Sequence, residues 1–230
     1  MSRARPFAAL MLLALLATPA TPAHAERWVA GGHLLYAQPR GPFAAVVNQG
    51  FGIQAYGVFN LDPVGVFGIR LDGGLINYGN EDTTVPLSNT VQRVNVKVST
   101  SNNIAMLGIG PQLSVPSGPL RPYVYATIGF GYFFTESSVK GSDSSNQPFA
   151  SSTNFDDTTP ARTIGGGLII PIAHPVSLDL GAEYRRHRDA RYLAAGDVID
   201  NPGGGGVTLR VRKSDADLMV YRLGVTFSGF

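Results

Sequence analysis

Val176–Arg185 reads VSLDLGAEYR. Val176, Leu178, Leu180, Ala182 and Tyr184 fall on one parity, and Ser177, Asp179, Gly181, Glu183 and Arg185 on the other. A period of two is that of a strand with two unlike faces. Which face is buried decides the fold. A soluble protein turns the apolar side inward, whereas a barrel in a membrane turns it outward.

The same alternation recurs along the chain. Phe51, Ile53, Ala55, Phe59 and Leu61 lie on one apolar parity, as do Phe67, Ile69, Leu71 and Leu75. So do Val124, Ala126, Ile128, Phe130, Tyr132 and Phe134, and then Met219, Tyr221, Leu223, Val225 and Phe227. No charge interrupts these rows. The opposite parity carries Arg70, Asp72, Arg121, Asp179, Glu183, Arg185 and Arg222, interleaved with glycines such as Gly68, Gly74, Gly108, Gly129, Gly181 and Gly224. The outside of a soluble barrel would be rich in Lys, Glu and Thr and would have little need of glycine. A glycine-rich face with charges of both signs suits a narrow lumen, where side chains must fit and ion pairs must find partners. The apolar parity therefore faces lipid, and these charges are expected to form a polar network in the lumen.

Eight strands can be laid down: from about Trp28 to Ala37, then GFGIQAYGVFNL, VFGIRLDGGLINYG, IAMLGIGPQLSV, RPYVYATIGFGYFFTESS, ARTIGGGLIIPI, the opening stretch, and DLMVYRLGVTFSGF. The connections alternate in length. QPRGPFAAVVNQ, the polar stretch from Asn80 to about Asn102, VKGSDSSNQPFASSTNFDD and an excursion containing DNPGGGG are long, whereas DPVG, PSGPL and AHP are tight turns. With an even strand count, the short turns share one side with both termini. The fold class predicted is all-β, an eight-stranded antiparallel up-and-down transmembrane barrel with short periplasmic turns and long extracellular loops. Val94, Val96 and Val98 are even while Leu107, Ile109 and Leu113 are odd, so part of VQRVNVKV is expected as a hairpin protruding beyond the membrane. GSDSSNQPFASSTNFDDTTP reads as mobile, solvated loop.

Aromatic residues on the apolar parity fall at two levels. Trp28, Phe59, Phe67 and Phe227 lie near the short turns, and Tyr36, Phe51, Tyr132, Phe134, Tyr184 and Tyr221 toward the long loops. Trp28 to Tyr36 and Phe51 to Phe59 each span roughly 26 Å of strand, or about 20 Å along the membrane normal at a tilt of about 40°. Two girdles at that spacing fit the apolar band of an outer membrane.

The first 25 residues begin with Arg3 and Arg5, run apolar from Phe7 to Ala17 and reach small residues at Ala23 and Ala25. They read as a cleaved secretory signal, leaving 26–230 as one barrel domain. Without Arg3 and Arg5, the 18 basic residues fall level with the 16 acidic ones, so net charge gives no support to a nucleic-acid partner. The chain has no cysteine, hence no disulfide or thiol chemistry. The glycine runs at 108–110, 129–131 and 203–206 lack the spacing of a phosphate loop, and no metal cluster or cofactor fingerprint is present.

The segments RPYVYATIGFGY, GGGLIIPIAHPVSLDLGAEYR and a last strand closing on Phe230 resemble the small eight-stranded outer-membrane barrels of the OmpA/OmpX and opacity-protein type. The resemblance implies a Gram-negative outer membrane and insertion by the barrel-assembly machinery, for which a terminal Phe230 is the assembly signal. Phe227 shares the outward parity and Phe230 does not, so either a bulge at SGF restores the register or Phe227 carries the signal.

Function could reside in three places. The lumen charges are either a plug or a narrow ion or small-solute path. Arg186, Arg188, Arg210, Arg212 and Lys213 flank the last loop. They either meet lipopolysaccharide phosphates or pair with Asp189, Asp215 and Asp217 on a solvated hairpin stem. Lipid A chemistry would need a hydroxyl nucleophile, a histidine base and an orienting acid. Here His33 and His187 lack the H-x-S pairing of a lipid A deacylase, and His187 with Glu183 is the only plausible pair. The reading is a non-enzymatic barrel that contacts outer-membrane lipid and lipopolysaccharide and serves envelope integrity or adhesion through its surface loops, with a channel as the alternative. The surface ligand is unknown.

Overall fold

The computed structural model describes residues 27–86, 95–140, 148–201 and 206–228. The stretch expected to be a secretory signal, the tips at 87–94 and 141–147, the glycine run at 202–205 and Phe230 lie outside the described residues. In chain order the strands are β1 (Trp28–Arg40), β2 (Gly50–Asn60), β3 (Phe67–Pro86), β4 (Asn95–Ser114), β5 (Arg121–Lys140), β6 (Pro148–Ala173) and β7 (Val176–His187). Four short strands follow, β8 (Ala190–Tyr192), β9 (Val198–Asp200), β10 (Val207–Leu209) and β11 (Arg212–Ser214), and then β12 (Asp217–Ser228). A 3-10 turn, Gly41–Ala45, follows β1.

The eight long strands close into one antiparallel barrel in the order β1-β12-β7-β6-β5-β4-β3-β2, with each strand paired to its sequence neighbour and β12 paired back to β1. Among the described residues no helix is long and apolar enough to cross a membrane. Closure leaves no unpaired edge, which is what a strand structure in hydrocarbon requires. The barrel turns its apolar parity outward. Leu34, Ile53, Val124, Ile128 and Ile164 are each about 60% exposed or more, while Arg70 and Asp179 are fully buried. The stretch VSLDLGAEYR follows the rule: Ser177, Asp179, Glu183 and Arg185 are buried, and Leu180 and Tyr184 are exposed.

The tight connections at 61–66, 115–120 and 174–175 lie at one end, with the first residue of β1 and the last of β12. At the other end, two of the four expected loops are hairpins. β3 and β4 stay paired out to Pro86↔Asn95, so most of the Asn80–Asn102 stretch is strand; a bulge between Asn77 and Gly79 marks where the ladder leaves the barrel wall. β5 and β6 stay paired to Lys140↔Pro148, so 148–160 is strand where a mobile loop was expected. Serines opposite one another, as in Ser137↔Ser152 and Ser138↔Ser151, fit a water-exposed ladder better than a loop. The last excursion is not a plain extension of β7 and β12. It folds back on itself through the β8–β11 and β9–β10 ladders.

Candidate functional site

Strand pleat sends Arg70 and Asp72 from β3, Asp179, Glu183 and Arg185 from β7, and Arg222 from β12 into the lumen, all essentially buried. Three guanidinium groups, those of Arg70, Arg185 and Arg222, meet the two carboxylates of Asp72 and Glu183 there. Arg185 Nη2 donates to Glu183 Oε1 at 2.7 Å and lies 3.5 Å from Asp72 Oδ1, and Arg70 Nε is 3.6 Å from Asp72 Oδ2. Arg222 Nε is 3.6 Å from Glu183 Oε2, which also accepts from the Tyr125 hydroxyl. Arg70 stacks 3.9 Å over the Tyr56 ring and 4.3 Å over that of Tyr125. Arg121, expected in the same network, sits apart. It begins β5 at the tight-turn end, where its Nε donates to Gly118 O across that turn.

Nearer the tight turns, Asp179 is the hub of a second group. Its carboxylate accepts from Tyr56 at 2.8 Å, Tyr123 at 2.7 Å and Thr226 at 3.2 Å, and lies 2.9 Å from His33 Nε2. Sequence spacing does not pair this histidine with this carboxylate, although both lie on the lumen parity. His187 and Glu183 are not a pair. His187 Nδ1 bonds the carbonyl of Ala216, and Glu183 is taken by Arg185 and Tyr125. Glycine makes room for these groups: a Cβ on Gly181 would stand 2.5 Å from Arg222 Nη2, and one on Gly167 2.6 Å from the Tyr123 hydroxyl.

The long-loop half of the lumen is apolar, which parity alone did not indicate. Leu35, Ala37, Ile76, Ile104, Met106, Phe133, Leu218 and Val220 point inward and are buried. Two loops complete the plug. The 3-10 turn drops Phe43 between Tyr78, Phe133 and Tyr192, with ring centroids 5.4, 6.5 and 4.9 Å away. The last excursion supplies Tyr192 and Leu193, and the Tyr78 hydroxyl donates to Leu193 O at 2.9 Å. A further bond, Gly196 N to Glu81 Oε2 at 2.7 Å, ties that excursion to the β3 extension.

The basic residues of the last loop do not converge. Arg212 is held by Asp197, with Nη2 to Oδ1 at 2.8 Å, and Lys213 pairs with Asp189 at 3.5 Å. Arg210 is exposed beyond them. Arg186 lies 3.6 Å from Asp215 and 3.9 Å from Asp217, and Arg188 is exposed. A residue outside the expected set joins these last two. Arg162 on β6 is the direct register partner of Arg186, and both point outward.

On the outer wall, Trp28 and Phe59 pack at 4.8 Å at one level, where Phe67 and Phe227 are also exposed. Tyr36 packs on Phe51 at 5.5 Å and on Tyr221 at 6.2 Å at the other. Tyr132 and Phe134 stack at 5.3 Å higher on β5, and Tyr184 donates to Asp217 at 2.6 Å.

No protein-family model and no curated protein matches the sequence. Among solved structures, the chain is similar to Ail, the attachment invasion locus protein of Yersinia pestis, at 10% identity over 89% of this chain and 99% of that one, with a TM-score of 0.48. It is also similar to Neisserial surface protein A, at 13% identity over 90% and 100%, with a TM-score of 0.47. A major outer membrane protein from Thermus thermophilus is 14% identical over 87% and 99%, with a TM-score of 0.45. By its own closed topology, buried charges and lipid-facing apolar wall, the chain is a small eight-stranded β-barrel of the outer membrane.

Proposed function

We propose that the membrane part of this protein is a sealed support and that its specific role, in envelope integrity or adhesion, is carried by the segments beyond the outer aromatic girdle. The observation behind this reading is the filling of the lumen. The Arg70, Asp72, Asp179, Glu183, Arg185 and Arg222 network occupies one half, and the Phe43, Phe133, Tyr192 and Leu193 plug occupies the other. Eight strands enclose little more than the side chains they carry, so neither half leaves a path for solute. The paired extensions of β3 with β4 and β5 with β6 then offer stiff, polar ladders to whatever lies outside. The test is conductance of refolded protein in a planar lipid bilayer, beside binding of whole cells to host surfaces with and without the two hairpin extensions. Absence of unitary steps, with binding or envelope resistance lost on shortening the hairpins, is expected. Reproducible unitary steps would overturn the sealed reading in favour of a small-solute channel.

A further inference from the structure

The outer wall carries its own charged cleft where β6 meets β7. Pro160, Arg162, Arg186, Arg188 and Asp189 line a space of about 440 Å³. Arg186 is the next outward position on β7 after Tyr184 of the outer girdle, and Arg162 faces it directly across the ladder. Like charges directly opposite in an antiparallel pair repel. Arg186 is partly met by Asp215 and Asp217, but among the described residues Arg162 and Arg188 have no carboxylate within ion-pair distance. Asp189 turns to Lys213 and its backbone N–H to Asp215. Beside and below the arginines the wall is apolar again: Ile128 on β5 is opposite Arg162, and Ile164 is opposite Tyr184 one outward position down, both isoleucines about two-thirds exposed.

We propose that Arg162, Arg186 and Arg188 bind the phosphate of an outer-leaflet lipid whose acyl chains lie along Ile128, Ile164 and Tyr184. Guanidinium forks suit phosphate oxygens, and at the edge of the hydrocarbon they act with less screening than in water. An anion between them removes the repulsion across the ladder. The site lies on the membrane wall, apart from the lumen and from the hairpin tips. It rests on the reading of this chain as an outer-membrane barrel, and it names the lipid class that barrel would hold.

The experiment is native mass spectrometry of the mature protein released from nanodiscs made of phosphatidylcholine alone or doped with lipid A. Inorganic phosphate is titrated in a separate arm against protein in detergent. Wild type is expected to retain lipid A and not phosphatidylcholine, and the Arg162→Gln, Arg186→Gln, Arg188→Gln triple variant to lose retention by about tenfold or more. Arg210→Gln with Lys213→Gln, which removes charge outside the cleft, is expected to retain lipid A as wild type does. The triple Arg→Lys variant keeps charge without forks and is expected to fall between. Unboiled gel mobility reports folding for each variant, and single Arg→Gln changes replace the triple if it fails to fold. Equal losses in the cleft variant and the Arg210 and Lys213 control would overturn the site, as would equally tight capture of inorganic phosphate. Failure of wild type to enter nanodiscs at all would instead overturn the membrane reading.

Discussion

Tyr56 on β2 and Asp179 on β7 meet across the lumen, the phenol donating to the carboxylate at 2.8 Å, although β1 and β12 separate their strands around the wall. Together with Tyr123 from β5 and Thr226 from β12, this contact ties three strands to one carboxylate on a fourth. The barrel is braced through its interior as well as by its backbone ladder.

Removing one member of such a network leaves the others buried without a counter-charge. Glu183→Gln deprives Arg185 and Arg222 of their shared carboxylate and is expected to cost about 3 kcal/mol or more. Lys213→Gln, which breaks an exposed pair with Asp189, is expected to cost below about 1 kcal/mol. Urea unfolding of detergent-refolded protein, followed by the unboiled gel band, gives both values; equal costs would mean that the lumen network does not stabilise the fold.

Phe43 is fully buried at the centre of the apolar plug, touching rings from β3, β5 and β8. Phe43→Ala is expected to lose about 3 to 5 kcal/mol through cavity formation. Hydrogen exchange should rise at Tyr192, whose ring packs on Phe43, and at its neighbours Leu193 and Ala194, while β1 and β12 amides stay protected. A uniform rise through the barrel would contradict a locally seated plug.

Asp62, in the turn between β2 and β3, accepts backbone N–H groups from Phe67 at 2.6 Å, Val66 at 3.0 Å and Val64 at 3.2 Å. The Phe67 amide foremost, then Val66, holds its carboxyl below the usual range. A pKa lower in the folded than in the unfolded state gives stability that is present above the unfolded value and lost as pH falls through the folded one. Asp62→Asn should therefore lower the unfolding midpoint at neutral pH, and the gap from wild type should close in acid. A gap that persists unchanged to about pH 2 would place the effect elsewhere.

Trp28 is the sole tryptophan and lies exposed on the outer wall against Phe59. Its emission is expected to shift blue on insertion into bilayers and to be quenched by lipids brominated near the headgroup more than by those brominated at the chain end. Stronger quenching from the chain end would move the girdle into the hydrocarbon.

The face of each strand residue is legible in the chain because a period of two leaves only two choices, and lumen charges such as Arg70 and Glu183 could not be left in lipid. The plug is not legible. Leu35, Ile76, Met106 and Leu218 share parity with those charges, and what covers them is Phe43 and Tyr192, brought in by loops that carry no periodic signal. Hairpin lengths are hidden because Ser, Thr and Asn in a solvated ladder look like loop residues. The Arg162 and Arg186 pair depends on the register of β6 against β7, which spacing in sequence does not fix.

The seam between β1 and β12 runs from Val29↔Ser228 to Arg40↔Asp217, joining opposite ends of the described chain. Until it forms, both strands present open rows of amide and carbonyl groups, which hydrocarbon cannot solvate. The wall therefore cannot enter a bilayer one hairpin at a time and remain stable there. Entry and closure are one cooperative event of high contact order, slow without help, and a chain lacking β12 is an adhesive open sheet in place of a smaller barrel.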